Sequence, residues 1–384
     1  MQEQKSFLEQ APKTSAARFY RPELDVLRFF AFFSVFVAHL TRIPVDPDVP
    51  RWKLKYIALY DLARDSGAFG MCIFFLLSAY LITELLMRER AATGSIHLKA
   101  FYTRRILRIW PLYFGVVFAS YFIGLAMPQY PVSVAQVLAY VFLAGNWYTG
   151  RMDYGPATMG VLWSISLEEQ FYLLWPSIAR LWGKRALEIV AWATIPLSLG
   201  VLFYYAAHGE PMQPFLWTNS FVQFAFFGIG ALLALALPKE PPRIPLALRP
   251  LLLGGGILLW LVANYWGHVN GMHYETHPYS MVVGFAMVMV GCTAIFLSLL
   301  GAPQRVLPSP LIYLGKISYG LYVFHVPCAE VTRAIFGHAR HGLIFEPALQ
   351  LALTIGVATL SYYYFEKPFL RLKEKFELVP SRRT

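Results

Sequence analysis

Eleven apolar stretches, each close to the length of a membrane-crossing helix, decide what this chain can fold into. They lie near 25–43, 67–87, 109–127, 133–149, 161–182, 187–206, 219–237, 250–267, 280–300, 311–329 and 347–366. About 20 mostly apolar residues cover the hydrocarbon layer of a bilayer. The totals point the same way. Apolar residues make up 57% of the 384 and charged residues 14%, against roughly 25% charged in soluble domains. The mean hydropathy of +0.48 over the whole length excludes a soluble enzyme on one anchor. An aromatic content of 16% excludes a disordered chain.

Eleven crossings would place the two ends on opposite sides, yet both ends are basic. Positive-inside therefore demands an even number. The stretch 133–149 is the shortest, follows Pro128 and Pro131, and ends in Gly145–Asn146–Trp147–Tyr148. Read as re-entrant or partial, it leaves an all-α polytopic membrane protein of about ten transmembrane helices in one bundle. The inside segments then hold 24 of the 33 Lys and Arg and the outside segments 8, with Arg28 inside the first span. The reading divides the chain into a cytoplasmic segment 1–24, a membrane domain 25–366 and a cytoplasmic tail 367–384. Residues 1–24 lack an apolar core, so no cleavable leader is expected and the first span acts as a signal anchor.

The net charge of +11 is accounted for by these loops, and no nucleic-acid partner is expected. Cys72, Cys292 and Cys328 lie in apolar stretches with neither disulfide nor zinc spacing, and no metal is expected.

Ionisable residues inside membrane segments are costly unless paired or hydrated, so each is a candidate for function. Arg28 and His39 fall on nearly one face of the first span, about 16.5 Å apart along its axis. Singly, Arg28 reads as an anchor paired with Asp25 at i, i+3 and His39 as an interhelical hydrogen bond. Arg104, Arg105 and Arg108 precede the third span at a helix entrance, with Pro111 in its first turns. They suit a phosphate ligand or topology alone. In Leu162-Trp-Ser-Ile-Ser-Leu-Glu-Glu-Gln-Phe-Tyr172, Ser164, Glu168 and Tyr172 form one polar stripe at i, i+4, i+8. Glu169 faces elsewhere, beside Ile165 and Leu173. A structural Glu–Arg pair is the plainer reading of these acids. Ser318, Tyr322 and His325 line one face of the segment near 311–329, an arrangement common in interhelical bonding. Glu366-Lys-Pro368 reads as a pair with a loop arginine.

In this order the residues resemble the membrane acyltransferase-3 family. The matching stretches are Arg21-Pro-Glu-Leu-Asp25 leading to Arg28 and His39, Phe74-Phe-Leu-Leu-Ser78, and Arg104-Arg-Ile-Leu-Arg108. They continue with Leu162 to Tyr172, Ile317-Ser-Tyr-Gly-Leu-Tyr-Val-Phe-His325 and Phe365-Glu-Lys-Pro368. The family's Ser-Gly is Ser78-Ala79 here. The chain resembles the stand-alone form, without the extracytoplasmic domain of many relatives.

The resemblance implies an O-acyltransferase in the bacterial inner membrane with both termini cytoplasmic. Its donor is acyl-coenzyme A, most often acetyl-coenzyme A. Its acceptor is a hydroxyl of a cell-envelope polysaccharide, carbohydrate or glycolipid, or of a small macrolide-like molecule, with membrane lipid as surroundings. His39 matches the essential histidine, Arg28 its companion, Arg105 and Arg108 the paired arginines, and Glu168 or Glu169 the acidic position. The expected mechanism has Arg28, Arg104, Arg105 and Arg108 holding the coenzyme A phosphates. The thioester arm then follows the first helix to His39, the general base. Glu168 orients the imidazole or stabilises its cation, and Asp25 positions Arg28. Ser164, Tyr172, Tyr322 and His325 support the site. An acyl-histidine relay stays open, as does a transporter or flippase of a sugar, lipid or antibiotic. The oligomeric state is not legible.

Overall fold

The computed structural model of the chain describes residues 19–40, 50–155, 157–237, 242–269, 277–336 and 345–379. Residues 1–18 of the N-terminal segment, and Arg382 and Arg383 of the tail, lie outside the described residues. Every element among the described residues is helical. Six helical segments are long and apolar enough to cross a membrane by length and composition.

The chain opens with α1 (Pro22–Ala38), α2 (Arg51–Ser66), α3 (Gly70–Thr93) and α4 (Leu98–Ala126). Pro22 stands at the first position of α1, where its missing N–H costs nothing. α4 begins well before the expected 109, so Arg104, Arg105 and Arg108 sit on its body and not at its entrance. Pro111 correspondingly lies inside a 29-residue helix and not in its first turns. There it removes the N–H that would serve the Leu107 carbonyl.

The weak stretch 133–149 forms two short helices, α5 (Val134–Val141) and α6 (Gly145–Met152), of 8 residues each. At 1.5 Å per residue each is about 12 Å long, well short of the hydrocarbon thickness. Ser133 caps α5 by accepting from the Gln136 amide at 3.0 Å. A buried polar network seats the break between the two helices. Gln170 Nε2 donates to the Leu143 carbonyl at 2.7 Å and to Asn146 Oδ1 at 2.8 Å. Asn146 Nδ2 donates to Thr218 O and Ser220 Oγ, both at 2.9 Å, and Ser220 Oγ donates to Gln170 Oε1 at 2.7 Å.

The helical run α7 (Trp163–Ala207) is interrupted at Gly183, whose φ of 74° an L side chain rarely adopts. Contacts with neighbours show that the chain reverses there. The first half runs parallel to α3. Ser78 meets Glu168, Trp175 Nε1 donates to Thr83 Oγ1 at 2.8 Å, and Arg90 Nη1 donates to the Ala179 carbonyl at 3.1 Å. α8 (Ser220–Ala236) also runs parallel to α3, with Gln223 at Cys72 and Phe227 stacked on Phe75. The second half of α7 runs antiparallel to α8, with Ser198 bonded to the Val222 carbonyl at 2.6 Å and Thr194 against Gly228.

α9 (Leu248–Gly267) and α10 (Pro278–Leu299) form the most extensively packed helix pair. The stretch near 311–329, expected as one segment, divides at Ile317 into α11 (Ser309–Lys316) and α12 (Ser318–Phe336). The chain ends in α13 (Phe345–Leu360), a wide turn at Ser361–Glu366 and α14 (Lys367–Glu374). Gly315 of α11 lies so close to α1 that a Cβ there would stand 1.8 Å from the Asp25 carbonyl oxygen. That approach sets the start of α1 against α11. It also puts the first residues of α1, α12 and α14 at one end of the bundle.

Gly315→Ala forces α11 off α1 and should lower the unfolding midpoint in detergent by several degrees. Gly254→Ala meets nothing within 4 Å and should match the wild type in the same thermal melt.

Candidate active site

A cavity of about 240 Å³ runs between α1, α3, α4, α7 and α12, with Tyr20, Lys373 and Val379 among its walls at one end. Its opposite limit is at Met71 and Ser164, in the first turns of α3 and α7. Asp25, Arg28, Arg104, Arg105, Arg108, Ser164, Glu168, Tyr172, Ser318 and Tyr322 all line it. His39, Glu169 and His325 lie outside the lining.

Most charges here are paired, as their removal from water requires. Arg28 Nη1 donates to Asp25 Oδ1 at 3.1 Å, and Tyr20 OH holds the other carboxylate oxygen at 3.0 Å. Asp25 thus fixes the Arg28 guanidinium at the wall. Arg21 Nη2 donates to Glu84 Oε1 at 3.2 Å, and Arg88 Nη2 reaches the same oxygen at 2.7 Å. Arg104 Nη2 donates to Glu89 Oε2 at 2.9 Å and its Nη1 to the Phe376 carbonyl at 2.8 Å. Arg104 therefore ties α3 and the tail to α4, and its donors are committed within the fold. Arg105 differs. Its guanidinium stands over the rings of Tyr172 at 5.3 Å and Phe101 at 5.6 Å, and its buried Nε has no hydrogen-bond partner. A planar donor stacked between rings and facing a cavity suits a phosphate or carboxylate oxygen.

The two acids of α7 part as their helical positions require. Glu168 Oε1 accepts from both Ser78 Oγ and Tyr172 OH on the cavity wall. Glu169 turns to α4, where Trp110 Nε1 donates to its Oε2 at 2.8 Å. Its other oxygen is buried without a partner. The expected contact of Glu168 with the His39 imidazole does not form, because Ser78 and Tyr172 engage its Oε1 on the cavity wall.

His39 caps α1 at the far end of the bundle, on an exposed residue. Its Nδ1 lies 2.8 Å from the Val35 carbonyl oxygen, and His325 Nδ1 lies 2.6 Å from the Tyr322 carbonyl oxygen. Carbonyls accept, so each Nδ1 carries the proton, and each neutral ring keeps a lone pair on Nε2. His325 Nε2 faces His39 Nδ1 at 3.4 Å, the rings near perpendicular with centroids 4.9 Å apart. His39 Nε2 is the basic atom left over. His325, and not Glu168, is the side chain that meets the His39 ring.

One turn of α12 separates the imidazole pair from the cavity. Tyr322 OH donates to the Val161 carbonyl at 2.6 Å and pairs with Ser164 Oγ at 2.8 Å, closing the cavity there. Sequence reasoning missed Ser78 as a partner of Glu168 and Lys373 as a wall residue. Glu366, foreseen in a pair with a loop arginine, lines the cavity beside Arg108 of α4 and accepts from Ser361 Oγ at 3.2 Å. Among the described residues, no group of three His, Cys, Asp or Glu is placed to hold a metal ion.

A family model described as an acyltransferase domain matches residues 21–366. The peptidoglycan O-acetyltransferase OatA of Listeria monocytogenes is 25% identical over 92% of this chain and 56% of its own length. The YrhL protein of Bacillus subtilis, named provisionally for the same reaction, is 27% identical over 91% and 55%. A Staphylococcus aureus protein (strain MSSA476), provisionally named an O-acetyltransferase, is 26% identical over 91% and 57%. The chain thus spans little more than half the length of these relatives. No solved structure matches it.

Diethyl pyrocarbonate, which acylates the imidazole lone pair, should modify His39 in the folded protein at pH 7 and leave His325 unmodified, as mapped by peptide mass spectrometry. Equal labelling of the two rings would contradict the burial of His325 with its Nε2 against His39.

Proposed function

The chain belongs to the membrane acyltransferase-3 family, and from that premise we propose that it moves an acyl group from cytoplasmic coenzyme A to a hydroxyl on the far side of the membrane. The carrying observation is the alignment of an arginine-bearing cavity with an imidazole pair one helical turn beyond its deep end. On this reading the bundle crosses ten times, α7 contributing two passes about Gly183. The end of the bundle that carries Tyr20 and Val379 faces the cytoplasm, in keeping with its basic residues.

Arg105 and Arg108, with Arg28 held by Asp25, take the donor phosphates. Arg104 holds the wall. The thioester arm extends toward Ser164 and Tyr322, a span matched by the 11-residue spacing of Arg28 and His39. Transfer requires the Ser164–Tyr322 closure to open. His39 Nε2 then takes the proton of the acceptor hydroxyl, whose oxygen attacks the thioester carbonyl. The C–S bond breaks and the thiolate of coenzyme A leaves to take up a proton. The Val35 carbonyl and His325 Nε2 steady the Nδ1–H as the ring becomes cationic. Glu168, bonded to Ser78 and Tyr172, keeps the ring beneath Arg105 in place. The names of the relatives support a carbohydrate acceptor of the peptidoglycan type and acetyl as the acyl group.

Purified protein with acetyl-coenzyme A, a thiol reagent and peptidoglycan fragments should release thiol only when acceptor is present. His39→Ala should abolish release. Arg105→Ala should raise the donor KM about 10- to 100-fold, as expected for losing charged hydrogen bonds worth about 1.5–3 kcal/mol. Donor binding followed by substrate movement without thiol release would refute the enzymatic reading.

A further inference from the structure

His39 sits where α1 stops, and a helix end is a poor mount for a catalytic ring unless something holds it. The last carbonyls of a helix lack internal partners. Here one side chain supplies them. Arg64, near the end of α2, donates from Nη1 to the Ala38 carbonyl at 3.1 Å and to the Leu40 carbonyl at 3.0 Å, the residues on either side of His39. The arginine is itself buried, at 7% exposed. Asp65 Oδ1 accepts from its Nη2, and Asp61 Oδ1 stands 3.7 Å from its Nε. Two carboxylates on α2 thus aim the guanidinium at the end of α1.

The rest of the contact makes the mount rigid. Asn264 Nδ2 of α9 donates to Ser66 Oγ at 3.2 Å, seating the end of α2. Gly67, immediately after α2, lies so near Ser34 that a Cβ would meet its carbonyl oxygen at 2.3 Å. The last turn of α1 is therefore held at two points by the end of α2, and His39 has its backbone fixed before any substrate arrives.

We propose that Arg64 is the positioning residue of His39, clamping the two carbonyls that flank it so that Nε2 points to the acceptor. The proposal rests on His39 being the base, and its test separates the two. Arg64→Ala should lower kcat about 100-fold, the size of effect that a 1 Å misplacement produces, with the donor KM unchanged. Arg64→Lys, which keeps a charge but only a single donating head, should recover part of that rate. Hydrogen-exchange mass spectrometry supplies a readout independent of activity, because Arg64→Ala should speed amide exchange at residues 37–40 and leave α9 and α10 at wild-type rates. Unchanged exchange at 37–40 would overturn the proposal, as would a wild-type kcat in Arg64→Ala. If the wild type transfers no acyl group, the exchange result alone decides whether Arg64 holds this helix end.

Discussion

Burying charge in an apolar bundle is the constraint to which the rest of the structure answers. Carboxylates in and around the cavity wall have donors at hand. Asp25 has Arg28 and Tyr20, Glu84 has Arg21 and Arg88, Glu89 has Arg104, and Glu168 has two hydroxyls. These pairings link residues of α1, α3, α4 and α7 and those just before α1. They offset the cost of desolvation and leave the Arg105 guanidinium held by rings and not by an acid. Charge neutralisation and ligand readiness are therefore divided between neighbouring arginines of one helix.

α12 carries polar side chains to both the cavity wall and the imidazole pair. Tyr322 binds Ser164 and the Val161 carbonyl at the wall, while His325, three residues on, faces His39. Two polar residues one turn apart on a single helix thus meet different partners. Because backbone carbonyls hold the protons of both rings, neither imidazole needs a carboxylate nearby to fix its tautomer. A negative partner would have carried a further desolvation cost in apolar surroundings.

Much of this was legible in the sequence, wherever periodicity or spacing carries the information. The i, i+4, i+8 stripe of Ser164, Glu168 and Tyr172 reaches the cavity and Glu169 turns away, as helix geometry demands. The pairing of Asp25 with Arg28 follows from i, i+3. The stretch 133–149, weak by length and polarity, forms two helices too short to cross. What sequence reasoning missed depends on contacts between distant segments. No local pattern places Ser78 on Glu168, sends Arg104 to the Phe376 carbonyl or brings His325 to His39 ahead of any acid. The start of α4 at Leu98 was hidden because its first turns are charged, and hydropathy marks only the apolar part of a helix.

The last described residues are built into the cavity wall. Arg104 holds the Phe376 carbonyl, Lys373 pairs with Glu377 at 3.1 Å, and Val379 reaches the lining. With Tyr20 also in the lining, residues near both limits of the described chain border the cavity. A bulky label attached at Val379 would crowd that cavity, whereas one on the exposed Tyr265 of α9 would leave it clear.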